Sequence, residues 1–367
     1  MIENFQNFVL VLLYGGLVII SFIILLNPMK VNKKANFFFS LFLFLWSSYW
    51  LLDILNLSGF SPSSVLVFFI ALVQIFTPIF LFFSVVFFIS PNYIFRKKDL
   101  ICLIVPIIYL ILLLNSEGNK TLTTVADFIV VVHNLPYIII IYFRIKKHQK
   151  RIETFSANTE KINLQWLANL SLLLFCTIVL TVGYELFNVF IYKLHQHLFM
   201  DLFFLFISYS SSFQILRQSE IYSVNDEERE QILSVEFENE INKEKKQLLS
   251  DDDFNTLKEN LLVIMETEKP FLEGELNLVK LSEMVNITPH QLSYLLNNGF
   301  NENFFQFVNK YRVEFAKKIL LDSSQEKKSM LEIAFESGFN SKTSFNTIFK
   351  KVTEFTPSEF RKKHSDL

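Results

Sequence analysis

The sequence predicts an all-α protein that joins a seven-helix transmembrane bundle to a C-terminal all-helical domain with two helix-turn-helix units. Of the 367 residues, 51% are apolar and 43 are Phe, and the long apolar runs are confined to residues 1–217. This composition is outside the range of soluble proteins and typical of membrane spans. Residues 254–367 instead show short amphipathic segments with helix-start signals, and the stretch 218–253 between the two regions is predicted to be a linker.

Seven stretches of the N-terminal half are apolar enough to be transmembrane helices, since a bilayer core needs roughly 20 helical residues. They are centred on residues 7–27, 35–55, 64–88, 99–114, 126–143, 166–190 and 197–216. The first stretch is not typical of a cleaved signal peptide, because Glu3 precedes it and three lysines follow it between residues 30 and 34. We therefore expect it to remain as a membrane helix.

Positive charge is unevenly distributed over the connections between these stretches. Successive connections lie on alternate sides of the membrane and so form two sets. One set holds twelve Lys and Arg residues, whereas the other holds two, Lys120 and Lys193. Lys and Arg are retained on the cytoplasmic side of a membrane. With seven spans, this asymmetry predicts an N-terminus outside the cell and a cytoplasmic location for everything after Arg217.

Ionisable side chains within the spans are candidates for a ligand site, because burying them in lipid is costly. Asp127, His133 and Asn134 lie close together ahead of Pro136, which frees backbone carbonyls in its helix. We interpret these three residues as the candidate ligand site of the membrane half.

Other polar residues of the spans receive a plainer interpretation. Asp53, His195, His197 and Asp201 lie near the outer ends of predicted spans, and we interpret them as solvated helix ends. Cys102 and Cys176 lie in apolar runs without partners at metal-ligand spacing, so the sequence predicts neither a disulfide nor a metal site.

The linker over 218–253 is strongly acidic, with twelve acidic and four basic residues. Its apolar residues are too irregularly spaced for a coiled coil. A helix of this length would extend roughly 50 Å at 1.5 Å per residue, enough to hold a small domain clear of the lipid headgroups. We therefore interpret the segment as a charged spacer.

The first helix-turn-helix unit is predicted from the run Thr288-Pro289-His290-Gln291. Thr288 is suited to cap the helix, Pro289 to occupy its first position and Gln291 to complete a capping box. The helix is expected to bury Leu292, Leu295 and Leu296, and to leave His290, Ser293, Tyr294 and Asn297 facing outward. A short helix ending at Val285 precedes it, and this spacing is typical of a helix-turn-helix.

A second unit of the same kind is predicted about fifty residues later. Ser329 and Glu332 are suited to a capping box, and the first helix is expected to pack through Leu331, Ile333, Ala334 and Phe335. Gly338 permits a tight turn. The next helix starts near Asn340 or Ser341 and is expected to bury Phe345, Ile348, Phe349 and Val352, at helical spacing. A long helix around residues 304–321 joins the two units.

These segments resemble the DNA-binding domain of the AraC/XylS family of bacterial transcription regulators. The resemblance rests on four motifs: Leu-Ser-Glu-Met-Val-Asn-Ile-Thr-Pro-His-Gln-Leu-Ser from Leu281, Asn-Lys-Tyr-Arg-Val-Glu-Phe-Ala from Asn309, Ile-Ala-Phe-Glu-Ser-Gly-Phe-Asn-Ser-Lys-Thr-Ser-Phe from Ile333, and Phe-Thr-Pro-Ser-Glu-Phe-Arg from Phe355. It covers roughly the last 110 residues and none of the membrane half. Glu354 and Ser282 depart from the family's pattern, which has Gly and Ala at these positions.

The resemblance implies residues that read base edges and residues that contact phosphate. The expected base-reading residues are His290, Ser293 and Tyr294 on the first recognition helix, and Lys342, Thr343, Asn346 and Thr347 on the second. Basic residues are concentrated in 310–363, with twelve basic against seven acidic residues. Phosphate contacts are therefore expected from Lys310, Arg312, Lys317, Lys318, Lys350, Lys351 and Arg361.

The expected function is that of a membrane-anchored, sequence-specific transcription regulator whose membrane half is a signal sensor or an anchor. The expected location is the bacterial inner (cytoplasmic) membrane, and the expected partners are double-stranded DNA, membrane lipid and a small-molecule or protein signal. A homodimer is also compatible with the resemblance. No cofactor, metal or enzymatic activity is expected, because no catalytic motif appears in any span. The alternative is a transporter or membrane enzyme that carries the C-terminal domain as a regulatory appendage.

Overall fold

The computed structural model describes residues 2–28, 30–116, 118–190, 197–218, 250–325 and 327–365. The described residues are helical apart from turns and one isolated antiparallel bridge between Ser156 and Asn277. The chain divides into two compact units. The first consists of Met1–Lys147 and Leu164–Ile221, and the second consists of His148–Asn163 and Tyr222–Leu367. The prediction of an all-helical fold is confirmed. Most of the predicted linker and His195 lie outside the described residues.

The first unit is a bundle of apolar helices. They are α1 (Ile2–Leu26), α2 (Lys33–Ser47), α3 (Leu51–Leu57), α4 (Ser64–Gln74), α5 (Thr77–Ile89), α6 (Ile104–Leu114), α7 (Lys120–Ile152), α8 (Gln165–Phe190) and α9 (His197–Arg217). Helix α2 packs between α1 and α5, and α1 also contacts α9. Large apolar side chains nevertheless face outward, such as Ile19 at 62% and Leu26 at 79% exposure. Such outward-facing apolar residues suit contact with lipid rather than water.

The number of membrane crossings differs from the predicted seven. Among the residues that the structure describes, five helical stretches are long and apolar enough to cross a membrane, and a sixth results if α2 and α3, bent by 47° at their junction, form one span. The predicted fourth span, 99–114, contains a 3-10 segment (Lys97–Leu103) followed by α6, which has only 11 residues. An α-helix of this length reaches only about 17 Å. Seven crossings are therefore not confirmed.

The second unit contains the C-terminal helices and the connection between α7 and α8. Its helices are α10 (Asp251–Thr267), α11 (Leu278–Val285), α12 (Pro289–Leu295), α13 (Phe304–Leu321), α14 (Met330–Glu336), α15 (Lys342–Thr353) and α16 (Pro357–Ser365). The last turn of α7, from His148 to Ile152, also belongs to this unit. The sequence did not indicate that residues 148–163 would join the C-terminal domain.

Helices α11 and α12 form the first helix-turn-helix. Asn286 closes α11 in the left-handed conformation (φ 59°), which is accessible to Asn. The capping box of α12 is present: Gln291 N–H donates to Thr288 Oγ1 at 3.2 Å, and Thr288 N–H donates to Gln291 Oε1 at 3.0 Å. Leu292, Leu295 and Leu296 are buried as predicted.

Helices α14 and α15 form the second helix-turn-helix. The capping box of Ser329 and Glu332 is present, and Gly338 makes the turn with φ 82°. The core of this unit includes Phe345 and Phe349 together with residues of α13, α14 and α16. Three residues predicted to be buried are exposed instead: Leu331, Phe335 and Val352. They lie on the outer faces of α14 and α15, because each helix needs only one side to cover the core.

Candidate functional site

The first recognition helix, α12, offers few side chains to a ligand. His290 and Tyr294 are half-buried, and the Tyr294 ring packs edge-on against Phe254 of α10 at 6.1 Å between centroids. Ser293, predicted to read bases, is only 7% exposed. The reason is geometric, because Ser293 lies three residues before the buried Leu296 and therefore on the same side of the helix. Ser293 is thus removed from the candidate base-reading surface.

The second recognition helix, α15, presents the predicted polar side chains. Lys342, Thr343 and Thr347 are exposed, and Asn346 is half-buried. Lys350 and Lys351 extend this face into the last turn and are also exposed. The opposite side of α15 is held in the core by Phe345, Ile348 and Phe349. An apolar side that is anchored and a polar side that is accessible are what a helix needs to enter a major groove.

The predicted phosphate-contacting residues outside α15 are partly engaged within the protein. Lys310 pairs with Glu302 at 3.0 Å and Lys317 with Glu314 at 2.9 Å, whereas Lys318 is exposed. Both terminal nitrogens of Arg361 donate to the Lys328 carbonyl at 3.1 Å. Exposed ion pairs contribute little to stability, so Lys310 and Lys317 can exchange their partners for phosphate at small cost.

Arg312 does not contact DNA phosphate in this fold, contrary to the prediction. Its side chain is 1% exposed, and its Nε donates to the Phe271 carbonyl at 2.7 Å and its Nη2 to the Glu273 carbonyl at 2.8 Å. Burial lowers the pKa of Arg312 to about 10, while nearby Glu275 and Glu273 oppose that shift. The guanidinium therefore stays charged at neutral pH and serves as an internal hydrogen-bond donor.

Residues 148–163, called here the 148–163 segment, pack onto both helix-turn-helix units. Leu278 N–H at the start of α11 donates to the Phe155 carbonyl at 2.9 Å. Phe305 N–H in the first turn of α13 donates to the Glu153 carbonyl at 3.0 Å. The Ala157 carbonyl accepts from the buried Asn309 Nδ2 at 3.0 Å and from Arg312 Nη1 at 3.4 Å. Backbone carbonyls of the segment therefore accept hydrogen bonds from the C-terminal helices.

The far end of the same segment reaches the second recognition helix. The Glu160 carboxylate accepts a hydrogen bond from Ser341 Oγ, and Ser341 is the N-cap of α15. A second acidic residue is close by, since Asn340 Nδ2 donates to Glu275 Oε1 at 2.7 Å. The start of α15 is therefore flanked by two carboxylates. No sequence pattern indicated this arrangement, because Glu160 and Ser341 are separated by 181 residues.

The first unit contains a cavity of about 710 Å³. Its lining includes an aromatic group made of Phe42, Trp46, Tyr49, Trp50, Tyr137 and Phe204, and the polar residues Asp53, Asn134 and Asp201. Trp50 Nε1 donates to Asp201 Oδ1 at 3.2 Å in the buried part of the wall. A cavity of this size, mostly apolar with a few polar groups, is typical of small-molecule sites.

The predicted ligand site of the membrane half is only partly at this cavity. Asn134 lines it, with its side-chain amide also donating to the Val130 carbonyl at 2.7 Å. Asp127 is exposed and does not line it. His133 is buried beside the lining residue Tyr137, at 5.0 Å between ring centroids. Asp201, interpreted from the sequence as a solvated helix end, is buried and lines the cavity, whereas Asp53 lines it and is exposed, as a solvated helix end should be.

Comparisons with known proteins agree with the C-terminal fold. A family model described as a helix-turn-helix domain matches residues 281–363. An uncharacterized HTH-type transcriptional regulator of Pseudoalteromonas carrageenovora is 33% identical over 92 residues, which is 25% of this chain and 52% of the relative. An uncharacterized HTH-type transcriptional regulator of Staphylococcus aureus strain COL is 34% identical over 87 residues, 24% of this chain and 11% of the relative. This chain thus matches about half or less of each relative.

Two solved structures are also similar to part of the chain. The C-terminal domain of AraT, a response regulator from Geobacillus stearothermophilus, is 27% identical, with 29% of this chain and 84% of that chain covered and a TM-score of 0.26. The C-terminal domain of the two-component response regulator yesN from Fusobacterium nucleatum is 29% identical, with 29% and 98% covered and the same TM-score of 0.26.

The C-terminal unit therefore contains a helix-turn-helix domain of the kind found in DNA-binding transcription regulators. More particularly, it is an AraC-type domain, with two helix-turn-helix units joined by the long helix α13. The sequence resemblance is confirmed for this part of the chain.

Proposed function

We propose that the protein is a membrane-embedded transcription regulator that binds specific DNA sequences through its C-terminal domain and has no enzymatic activity. The observation that carries the proposal is α15, a capped helix anchored in the core whose outer side carries Lys342, Thr343, Asn346 and Thr347. Lys and Asn side chains form hydrogen bonds with base edges in the major groove, and Thr contributes both a hydroxyl and a methyl group. The matched relatives are described as transcriptional regulators, which supports the same function.

The membrane location is supported by the surface of the first unit. Only about one-third of the residues in its candidate spans are buried inside the protein, and many of the others are large and apolar. Lipid is the environment in which such a surface is stable. Arg144, Lys146 and Lys147 at the end of α7 favour a cytoplasmic location for the adjoining 148–163 segment, and hence for the unit to which it belongs.

Seven crossings remain part of the proposal. The clusters Arg96–Lys98 and Arg144–Arg151 carry the positive charge typical of the cytoplasmic side, so the chain between them should cross the membrane twice. Helix α7 is one crossing. The apolar part of the 3-10 segment, Leu100–Leu103, and α6 would together extend about 25 Å if they were collinear, because a 3-10 helix rises about 2 Å and an α-helix about 1.5 Å per residue. That length comes close to the roughly 30 Å of the hydrocarbon core.

The sensor role is supported by the cavity. Substitution of Val131 by Phe would fill part of it, since Val131 lines the cavity. The matched control is Val132→Phe, one residue further along α7, where the side chain is exposed. We expect Val131→Phe to abolish the change in promoter occupancy between growth conditions and Val132→Phe to preserve it. If both variants respond like the wild type, the membrane half is an anchor and not a sensor.

The decisive experiment is genome-wide mapping of DNA crosslinked to the tagged full-length protein. It should be compared with a variant in which Lys342, Asn346 and Lys350 are replaced by Ala. Lys327→Ala is the control, because it removes an exposed basic residue outside both recognition helices. We expect discrete promoter peaks for the wild type and the control, and their loss in the triple variant.

Absence of peaks under every growth condition would favour the alternative function, a transporter or membrane enzyme with a regulatory appendage. The cavity is the observation that supports this alternative, since a substrate site would look similar. Uptake or turnover of a solute that is lost in the Val131→Phe variant would then be the corresponding result. The homodimer and the lipid contacts stay predictions.

A further inference from the structure

We propose that the 148–163 segment is an intramolecular competitor of DNA, with Glu160 occupying the N-terminus of the second recognition helix. The inference rests on the proposed function, since it requires that the C-terminal unit bind DNA. It identifies the start of α15 as an interaction surface with two alternative partners, a segment of the same chain and the DNA backbone.

The first step of the argument is the position of Glu160. In helix-turn-helix proteins the N-terminal residues of the recognition helix contact the DNA, and the free amides of a helix N-terminus attract anions. Glu160 places a carboxylate on Ser341, the residue that caps this end of α15. DNA that meets this end of α15 and the Glu160 carboxylate would therefore occupy the same region, and the negative charges of the DNA backbone and the carboxylate repel each other.

The second step is that the acidic surroundings are built from more than one element. Glu275, from the turn before α11, accepts a hydrogen bond from Asn340 directly before the cap. Lys342, the first residue of α15, is exposed beside these groups. Glu160 lies on the segment, whereas Glu275 lies outside it, in the turn before α11. Movement of the segment alone would therefore change the charge at the start of α15.

The third step is that the segment is firmly held at some points and exposed at others. Ala157 is 1% exposed and is bound through its carbonyl by Asn309 and Arg312. At the base of the segment, His148 Nε2 contacts the Ile162 carbonyl at 2.9 Å, and Gln149 Nε2 donates to the Asn163 carbonyl at 3.0 Å. Between these points Glu160 is exposed. Its side chain can therefore leave Ser341 while the rest of the segment stays bound.

The first test measures binding of the full-length protein, in lipid nanodiscs, to a fluorescent random-sequence duplex of about 40 base pairs, long enough for two successive major grooves. Glu160→Gln and Glu160→Ala are expected to bind about threefold to tenfold more tightly, with a smaller gain at high salt. Glu153→Gln is the matched control, because it makes the same charge change on the same segment away from α15, beside Asn303. Equal gains in all variants, or no gain at Glu160, would overturn the proposal.

The second test locks the contact directly. A Glu160→Cys, Ser341→Cys protein with Cys102 and Cys176 replaced by Ala is oxidised in the absence of DNA and then reduced. We expect the disulfide to form and to weaken duplex binding by about tenfold or more, and we expect reduction to restore binding, since the two partners exclude each other. Failure to form the disulfide, or equal binding by the locked and reduced proteins, would refute the competition.

The two tests also separate this inference from the proposed function. If the wild type, Glu153→Gln and both Glu160 variants all fail to bind the duplex, and genome-wide mapping recovers no fragments, then DNA binding itself is wrong. If they bind equally well, the C-terminal unit is a DNA-binding domain and only the competition by Glu160 is wrong.

Discussion

Replacing Glu354 with Gly should stabilise the C-terminal unit by about 1 kcal/mol. Glu354 ends α15 in the left-handed conformation, with φ 68° and ψ −9°, and its N–H donates to the Lys350 carbonyl at 2.8 Å. A Cβ destabilises this conformation by roughly 1–2 kcal/mol. Gly removes that strain but also increases the entropy of the unfolded chain, which offsets part of the stabilisation. The Glu354 side chain is exposed, so its removal should cost little packing. A carboxylate at a helix C-terminus is also unfavourable to the helix dipole.

Amide hydrogen exchange of the full-length protein measures this change. A stabilisation of about 1 kcal/mol corresponds to roughly fivefold slower exchange of amides that open only with unfolding of the unit, such as those in the middle of α15. Glu354→Ala is the control, because it removes the same charge but keeps the Cβ and hence the strain. Equal protection in the Gly and Ala variants would show that the left-handed conformation is not the source of the strain.

Three further changes should affect the same unit. Gly338→Ala should destabilise the unit by about 2 kcal/mol or more, because φ is 82° and a Cβ would collide with the Phe271 carbonyl oxygen. The destabilisation would be measured as faster amide exchange. Exchange as slow as in the wild type would show that this turn accommodates a Cβ. Replacing Lys350 and Lys351 with Ala should make the slope of log K for DNA binding against log salt concentration shallower by about 2, since each phosphate contact contributes about 0.9 to that slope. An unchanged slope would mean that neither lysine contacts phosphate. Hydrogen bonds from the backbone of Ser329 and Thr356 hold the pKa of the capping carboxylates Glu332 and Glu359 below their ordinary 4.5. The two carboxylates therefore contribute fully to stability above about pH 4.5, and this contribution is lost as the pH falls through their lowered pKa values. Variants with Gln at these positions should accordingly lose less helix on acidification, as measured by circular dichroism.

The sequence predicted the helices of the C-terminal unit well, because their start signals are local. The capping boxes at Thr288 and Ser329 each involve residues three positions apart, and both are present. Burial was predicted less well at the edges of helices. Val352 has the spacing of a core residue but is exposed, since the core beside α15 is already filled by Phe345 and Phe349.

The functional surfaces depend on contacts that local patterns do not encode. Arg312 is a basic residue in a basic part of the sequence, which is why it was predicted to contact phosphate. The carbonyls that bind it belong to Phe271 and Glu273, about forty residues earlier in the chain. The cavity residue Asp201 is likewise paired with Trp50, 151 residues away. A polar residue near the end of an apolar run has the same sequence pattern whether it faces solvent or a cavity. Only the packing of the helices separates these two cases.

The 148–163 segment also explains why Asn309 and Arg312 are buried polar residues rather than apolar ones. Leaving a buried donor without an acceptor costs more than the net gain of one hydrogen bond. Both residues direct a donor at the Ala157 carbonyl, so the interior of the C-terminal unit is completed by a residue from the connection between α7 and α8. That connection enters through the last turn of α7, without a break in the helix, and leaves at the start of α8. Because the bonds at Ala157 are buried and the Glu160 side chain is exposed, movement within the segment should occur at Glu160, next to the helix that is proposed to read DNA.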